Sequence, residues 1–200
     1  MIELYCATGN AGKLREFQIA ASYAPVTIDL VPNFRDLPPA VEDGATFEEN
    51  AIRKALHYAR YVDGLLFADD SGLEVDALDG APGVVSARFA GPDATDAANN
   101  RLLLEKLRAI PGRTFPFPAR FACRIALVKG ASVVGVYSGG VEGAILESPR
   151  GTSGFGYDPL FYYTSFGCTF GEADAARKFS VSHRGQALRA MIESLSRSRK

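Results

Sequence analysis

The sequence predicts an α/β fold on a mixed β-sheet. Two observations carry this. Apolar strand-like runs alternate with helical stretches through the first half of the chain, and a two-stranded hairpin follows later. Size agrees: 200 residues with 47% hydrophobic content bury a proper core, so one domain over residues 1–200 is expected, with room for two lobes.

Each element has its own signal. Glu3 to Ala7 reads as a first strand. Gly12 to Ala21 reads as a helix, with Leu14, Phe17, Ile19 and Ala20 on an incomplete apolar face. Val31 to Asp43 holds Pro32, Pro38 and Pro39 and reads as a loop. A second helix is expected from Phe47 to Tyr61, opened by the Thr-x-x-Glu spacing of Thr46 and Glu49. Leu65 to Ala68 forms a second strand. A leucine-rich helix covers Asp96 to Ala109. Phe121 to Val128 and Val133 to Tyr137 pair around Lys129-Gly130. A glycine-rich loop spans Glu147 to Pro159, a short strand Leu160 to Tyr163, and a last helix Gly185 to Leu195.

Bulk properties narrow the function. A net charge of −1 gives no basic excess for a nucleic-acid polymer, so a small-molecule substrate is expected. Three cysteines without a Cys-x-x-Cys spacing support neither a disulfide framework nor a zinc knuckle and fit a reducing cytoplasm. The start Met1-Ile2-Glu3-Leu4 lacks the pattern of a signal peptide. No apolar stretch approaches the roughly 20 residues of a membrane span.

The strongest chemical signal is Ala68-Asp69-Asp70-Ser71-Gly72, directly after the apolar run Leu65-Leu66-Phe67. Two adjacent carboxylates at the mouth of a buried strand are costly to desolvate. A hydrated divalent cation such as Mg²⁺ would offset that cost. Asp70 then becomes a metal ligand and the base toward a polarised water, with Asp69 a second ligand or an orienter. The alternative is a turn at Ser71-Gly72 capped by the carboxylates, which needs only one of them. Lys13, Lys54 and Lys178, read in similar strand–turn–helix settings, would hold an anionic substrate. Carboxylates, metal and lysines together point to phosphate chemistry.

Four further segments could serve such a site. Ala7-Thr8-Gly9-Asn10-Ala11-Gly12-Lys13 joins a strand to a helix, where glycines and free amides attract phosphate; an ordinary turn is the competing reading. On the second helix, Glu49 would reach a metal and Lys54 a phosphate, or Glu49 is simply the capping partner and pairs with Arg53. Asn50 sits just inside that helix despite mediocre propensity. In Gly154-Phe155-Gly156-Tyr157-Asp158, Phe155 would stack on a base, worth about 1–3 kcal/mol, and Asp158 would accept from a ring N–H. His183 and Arg184 supply donors before the last helix.

These segments together resemble the inosine triphosphate pyrophosphatase family, the non-canonical purine (dITP/XTP) pyrophosphatases. The matching runs are Ala-Thr-Gly-Asn-Ala-Gly-Lys at 7–13, Thr-Phe-Glu-Glu-Asn-Ala-Ile-Arg-Lys-Ala at 46–55 and Ala-Asp-Asp-Ser-Gly-Leu at 68–73. Gly-Ala-Pro-Gly-Val-Val-Ser-Ala-Arg at 80–88, Gly-Phe-Gly-Tyr-Asp-Pro at 154–159 and Ser-His-Arg-Gly-Gln-Ala-Leu at 182–188 complete the set. Six runs in order, over nearly the whole chain, make a specific signature.

The resemblance implies hydrolysis of ITP, dITP or XTP to the monophosphate and pyrophosphate with Mg²⁺. It also implies a long mixed sheet flanked by helices, two lobes with an active-site cleft, and a homodimer. By position, Thr8, Gly9, Asn10, Ala11, Gly12 and Lys13 would bind the triphosphate and Lys54 a phosphate. Asp70 would be the proton acceptor and a metal ligand, and Ser71 a substrate contact. Glu49 would be the helix-borne metal residue, and Glu42 a further candidate. Phe155, Gly156, Tyr157, Asp158, Lys178, His183 and Arg184 would surround base and sugar. Two rivals stand beside this reading: a pyrophosphatase of the Maf type, acting on modified pyrimidines, and a nucleotide-binding module without catalysis. The Ser-His-Arg run argues against the first and the Asp69-Asp70 pair against the second.

Overall fold

A computed structural model describes residues 1–22 and 24–197. Its sheet has seven strands: β1 (Ile2–Cys6), β2 (Val26–Leu30), β3 (Leu65–Val75), β4 (Phe117–Lys129), β5 (Ser132–Ile145), β6 (Phe161–Tyr163) and β7 (Cys168–Thr169). They lie in the order β2-β1-β3-β4-β5-β6-β7, an open sheet. It is mixed: β1 runs parallel to β2 and β3, whereas β6 runs antiparallel to β5 and β7. The helices are α1 (Ala11–Ala21), α2 (Phe47–Ala59), α3 (Asp96–Arg108), α4 (Ala175–Val181) and α5 (His183–Arg197). The described helices include none long and apolar enough to cross a membrane.

The chain divides into two compact units. The first comprises residues 1–70, 123–139 and 182–200, and the second 71–122 and 140–181. Within the first, Ala51 and Ala55 of α2 pack with Leu66 and Ala68 of β3, Ala126 and Val128 of β4, and Tyr58. Small side chains on α2 let the helix lie close to the strands. On α1, Phe17 is buried edge-on to Phe67, and α1 packs against α5. The second unit has an aromatic core, with Phe117, Phe121, Phe161 and Phe170 around Leu73, Leu103 and Leu107.

Several elements depart from the sequence expectation. β3 does not stop at Ala68 but runs to Val75, because Leu73 and Val75 continue its buried pattern. β4 and β5 are both longer than the expected hairpin. β2, α4 and β7 are additional elements, and α5 begins at His183 rather than Gly185. Lys178 therefore lies on α4 and Lys54 inside α2, so only Lys13 occupies a strand–turn–helix setting.

Candidate active site

Asp69 and Asp70 sit inside a strand, not at its mouth. Successive side chains of a strand point to opposite faces, which separates the two carboxylates. Asp69, 1% exposed, meets Lys13 of α1 (Nζ to Oδ2, 2.8 Å) and Arg184 of α5 (Nε to Oδ2, 3.6 Å). Asp70, 9% exposed, accepts from Asn50 of α2 (Nδ2 to Oδ2, 3.0 Å). Two neighbouring acids thus acquire two environments. Burial alone would push Asp69 up, but Lys13, Arg184 and Lys54 outweigh it and hold the carboxyl at about 2. For Asp70 burial prevails over Lys13, Lys54 and the Asn50 hydrogen bond, and its pKa lies above the ordinary 3.8.

The turn alternative at Ser71-Gly72 fails because β3 runs through both residues to Val75. A Cβ on Gly72 would lie 2.3 Å from Ser86 Oγ and 2.5 Å from the Gly83 carbonyl oxygen. The glycine permits close approach of residues 83–86, and Ser86 Oγ accepts from Leu73 N at 2.9 Å. Ser71 follows Asp70 on β3, half-buried.

The start of α2 explains the unusual asparagine. Asn50, 1% exposed, accepts from Gly44 N (2.8 Å) while donating to Asp70, so it ties the preceding loop to the carboxylate. Thr46 caps the helix by accepting from Glu49 N at 3.1 Å. Glu49 completes a variant of the capping box: its Oε2 accepts from Ala45 N at 2.8 Å, one residue beyond the usual partner. Arg53 pairs with Asp43 rather than Glu49. Lys54 Nζ lies 2.7 Å from Glu42 Oε2 and donates to the Asp69 carbonyl oxygen at 3.1 Å. Burial would lower Lys54, yet Glu42 and Asp69 raise it above 10.5, so it stays an ammonium.

In the loop before α1, Asn10 accepts from the amides of Gly12 (2.8 Å) and Lys13 (3.1 Å), and Asn10 N donates to Thr8 Oγ1. Two first-turn amides expected to await an anion are therefore satisfied by the cap. Gly9, Asn10 and Ala11 are exposed, and Gly12 is half-buried. His183 and Arg184 open α5, both buried. Arg184 also pairs with Glu16 (2.9 Å), a residue the sequence reading missed. The signal was its place three residues after Lys13, on the same face of α1.

In the second unit, Phe155, Gly156, Tyr157, Asp158 and Lys178 come together. Lys178 Nζ lies 2.6 Å from Asp158 Oδ2, with both residues buried, and 4.9 Å from the Phe155 ring centre. The same Oδ2 accepts from Phe155 N at 2.9 Å. A Cβ on Gly154 would fall 2.1 Å from it, and Gly154 has φ +75°, so only glycine fits. Tyr157 donates its hydroxyl to the Ser86 carbonyl oxygen at 2.8 Å. Arg88, at the end of the turn after Pro82, is exposed.

Among the described residues no three His, Cys, Asp or Glu side chains are grouped to hold a metal. Asp69, Glu42 and Glu49 are each engaged as above, by Lys13 and Arg184, by Lys54 and by Ala45. A small divalent cation still fits this donor set. Mg²⁺ binds through one or two carboxylates, substrate phosphates and waters, rather than an all-protein cage. Asp70 suits it best: its carboxylate is buried, raised by desolvation, and hydrogen-bonded to a neutral amide.

Comparison with known proteins places these features. The Ham1 family model matches residues 4–194. A protein of Syntrophobacter fumaroxidans named dITP/XTP pyrophosphatase is 50% identical over 185 residues, 92% of this chain and 78% of that protein. Its namesake in Geobacter sulfurreducens is 47% identical, covering 98% of this chain and 97% of its own. The solved HAM1 protein of Coxiella burnetii superposes with a TM-score of 0.86 at 40% identity, over 98% of this chain and all of the other. The Staphylococcus aureus Ham1 protein gives 0.83 at 35%, over 98% and 99%. A site of two unlike carboxylates flanked by lysines, carried on this sheet and matched from end to end, makes the chain a member of the Ham1 family.

Proposed function

We propose that the chain hydrolyses non-canonical purine nucleoside triphosphates (ITP, dITP and XTP) to the monophosphate and pyrophosphate. One observation carries the reading: adjacent carboxylates on β3 have unlike partners, Asp69 the cations Lys13 and Arg184 and Asp70 the neutral amide of Asn50, and their pKa values move in opposite directions. Environments that push two acids apart mark a division of labour. Asp69 orients Lys13 and Arg184. Asp70 takes the proton of the attacking water as its oxygen bonds to the α-phosphorus. The bond to the leaving group breaks with its electron pair passing to pyrophosphate. Lys13 and Lys54 meet the charge that builds there.

Mg²⁺, bound when substrate is present, would polarise that water and neutralise phosphate charge. Asp70 is its first candidate ligand, with Glu49, Glu42 and Asp69 further candidates. Thr8, Gly9, Asn10, Ala11 and Gly12 would line the triphosphate, and Ser71 would touch the substrate. In the second unit, Phe155 offers a stacking surface, Gly156 and Tyr157 shape the loop, and Asp158 with Lys178 supplies an acceptor and a donor for the base. His183 and Arg184 would donate to the 6-oxo edge, which adenine lacks; sites built on such bonds discriminate by about 10⁴-fold or more. Cytoplasmic residence and a homodimer complete the proposal, supported by the unpaired thiols and by the family signature.

The test is pyrophosphate release over a panel of dITP, XTP, ITP, ATP and GTP, with and without Mg²⁺. Cleavage of the first three far faster than of ATP and GTP is expected. Asp70→Asn should lower kcat by about 10²–10⁴-fold with substrate affinity retained. Turnover near wild type would remove Asp70 from the mechanism.

A further inference from the structure

The loop that carries Phe155 and Asp158 is gripped by one turn of α3. Asp96 Oδ2 accepts from Gly156 N at 2.6 Å, and Asn100 Nδ2 donates to the Gly156 carbonyl oxygen at 3.0 Å. Asp96 and Asn100 are four residues apart and share a helix face. Both polar groups of the Gly156 peptide positions, N–H and C=O, thus go to the same helix. Gly156 has φ +63°, a conformation that favours glycine.

Asp96 stands in the first turn of α3, where an acid suits the helix dipole, but Asn100 is not explained by α3 itself. The helix already has its cap, since Thr95 Oγ1 accepts from Ala98 N at 3.2 Å. Asn100 lies in the helix interior, where asparagine is a mediocre choice. Its Oδ1 is buried and has no hydrogen-bond partner among the described residues. What Asn100 contributes is its bond to the loop. Asp158 and Phe155 are also bonded to each other in both directions, Tyr157 to Ser86, and Asp158 to Lys178 and to Gly171 N, so among the described residues the α3 bonds are the ties at Gly156 itself.

We propose that Asp96 and Asn100 are positioning residues for base selection, clamping Gly156 so that Phe155 and Asp158 keep a fixed spacing. The inference rests on the reading of Phe155 to Asp158 as the base site. Neither residue touches the substrate. They act by setting the loop on a rigid helix, where small displacements cost discrimination.

The test compares wild type with Asp96→Ala, Asp96→Asn and Asn100→Leu. For dITP, KM should rise about 10-fold in Asp96→Ala, and the preference for dITP over dGTP should shrink by about as much. Asp96→Asn keeps an acceptor oxygen and should recover most of both. Inhibition by pyrophosphate, which engages the phosphate-binding lysines alone, should not change. A purely structural role would lower kcat alike for every substrate with KM and preference intact, and that result overturns the proposal.

A second readout needs no turnover. The chain contains no tryptophan, so F155W places a single indole on the loop. Acrylamide quenching of that indole should increase when Asp96→Ala is added, and equal quenching in the two proteins overturns the clamp. If wild type releases no pyrophosphate from dITP, the base-site reading fails by itself, and the quenching comparison alone decides the clamp.

Discussion

The two units hold their functional charges by different means. In the first, ions form a relay: Glu16 to Arg184, Arg184 to Asp69, Asp69 to Lys13, with Lys54 shared between Glu42 and the Asp69 carbonyl. Each cation there faces acids that a polyanion can replace. The second unit has one sealed pair, Lys178 with Asp158, set among backbone hydrogen bonds and aromatic rings. The relay suits exchange of ligands around a phosphate chain. The sealed pair suits a fixed shape for a flat base. Electrostatics dominates one region and geometry the other.

Breaking the sealed pair should have the largest effect. Lys178 is 3% exposed, so Lys178→Met strands the Asp158 carboxylate in a dry site. Removing one partner of a buried pair costs about 3–5 kcal/mol. Urea denaturation should show a loss of that order, and the double variant Lys178→Met with Asp158→Asn should recover much of it. Lys13→Met should cost clearly less, because Asp69 keeps Arg184 and Lys54 nearby. Equal losses at Lys13 and Lys178 would erase the contrast between relay and sealed pair.

The relay can be sharpened by pH. Asp69 is depressed in the fold, from 3.8 to about 2, so its contribution is fully present above about pH 4 and disappears as pH falls through 2. The difference corresponds to about 2 kcal/mol. Asp69→Asn removes a titrating group, so its stability should vary less than wild type between pH 4 and pH 2, by about that amount. Parallel stability curves in acid would show that Asp69 is not held by its cations.

Where residue chemistry carries the signal, the sequence was readable. The acids of β3, the lysines and the 154–158 loop stand out by residue type, α2 by its capping spacing and α3 by its leucines. Three features were hidden for physical reasons. The strand expected to end at Tyr137 runs on as β5 through Ser138-Gly139-Gly140 to Ile145, and its glycines mark close packing. A Cβ on Gly139 would lie 2.0 Å from the His183 carbonyl oxygen, and one on Gly143 2.5 Å from the Phe161 ring. α4 has only seven residues, too few for a helical period to emerge. β3 is buried on both faces through Phe67 to Asp70, so it lacks the alternation that would have carried the strand past its carboxylates. Local spacing could mark Glu16 and Asn50, but not that they hold Arg184 and Asp70, which lie far along the chain.

Asn50 offers the finest test of how the first unit divides work between its two acids. Its amide donates to Asp70 and its oxygen accepts from Gly44, so the side chain lowers Asp70 against the stronger upward push of burial. Asn50→Leu removes the donor and keeps similar bulk. Asp70 should then rise further, and the acid limb of the kcat/KM profile should move to higher pH. Asp69 is held low by Lys13, Arg184 and Lys54, so the acid stability window assigned to it should stay where it is. A limb that moves together with that window would mean that the two carboxylates titrate as one coupled pair. A limb that stays put would mean that a group other than Asp70 accepts the proton.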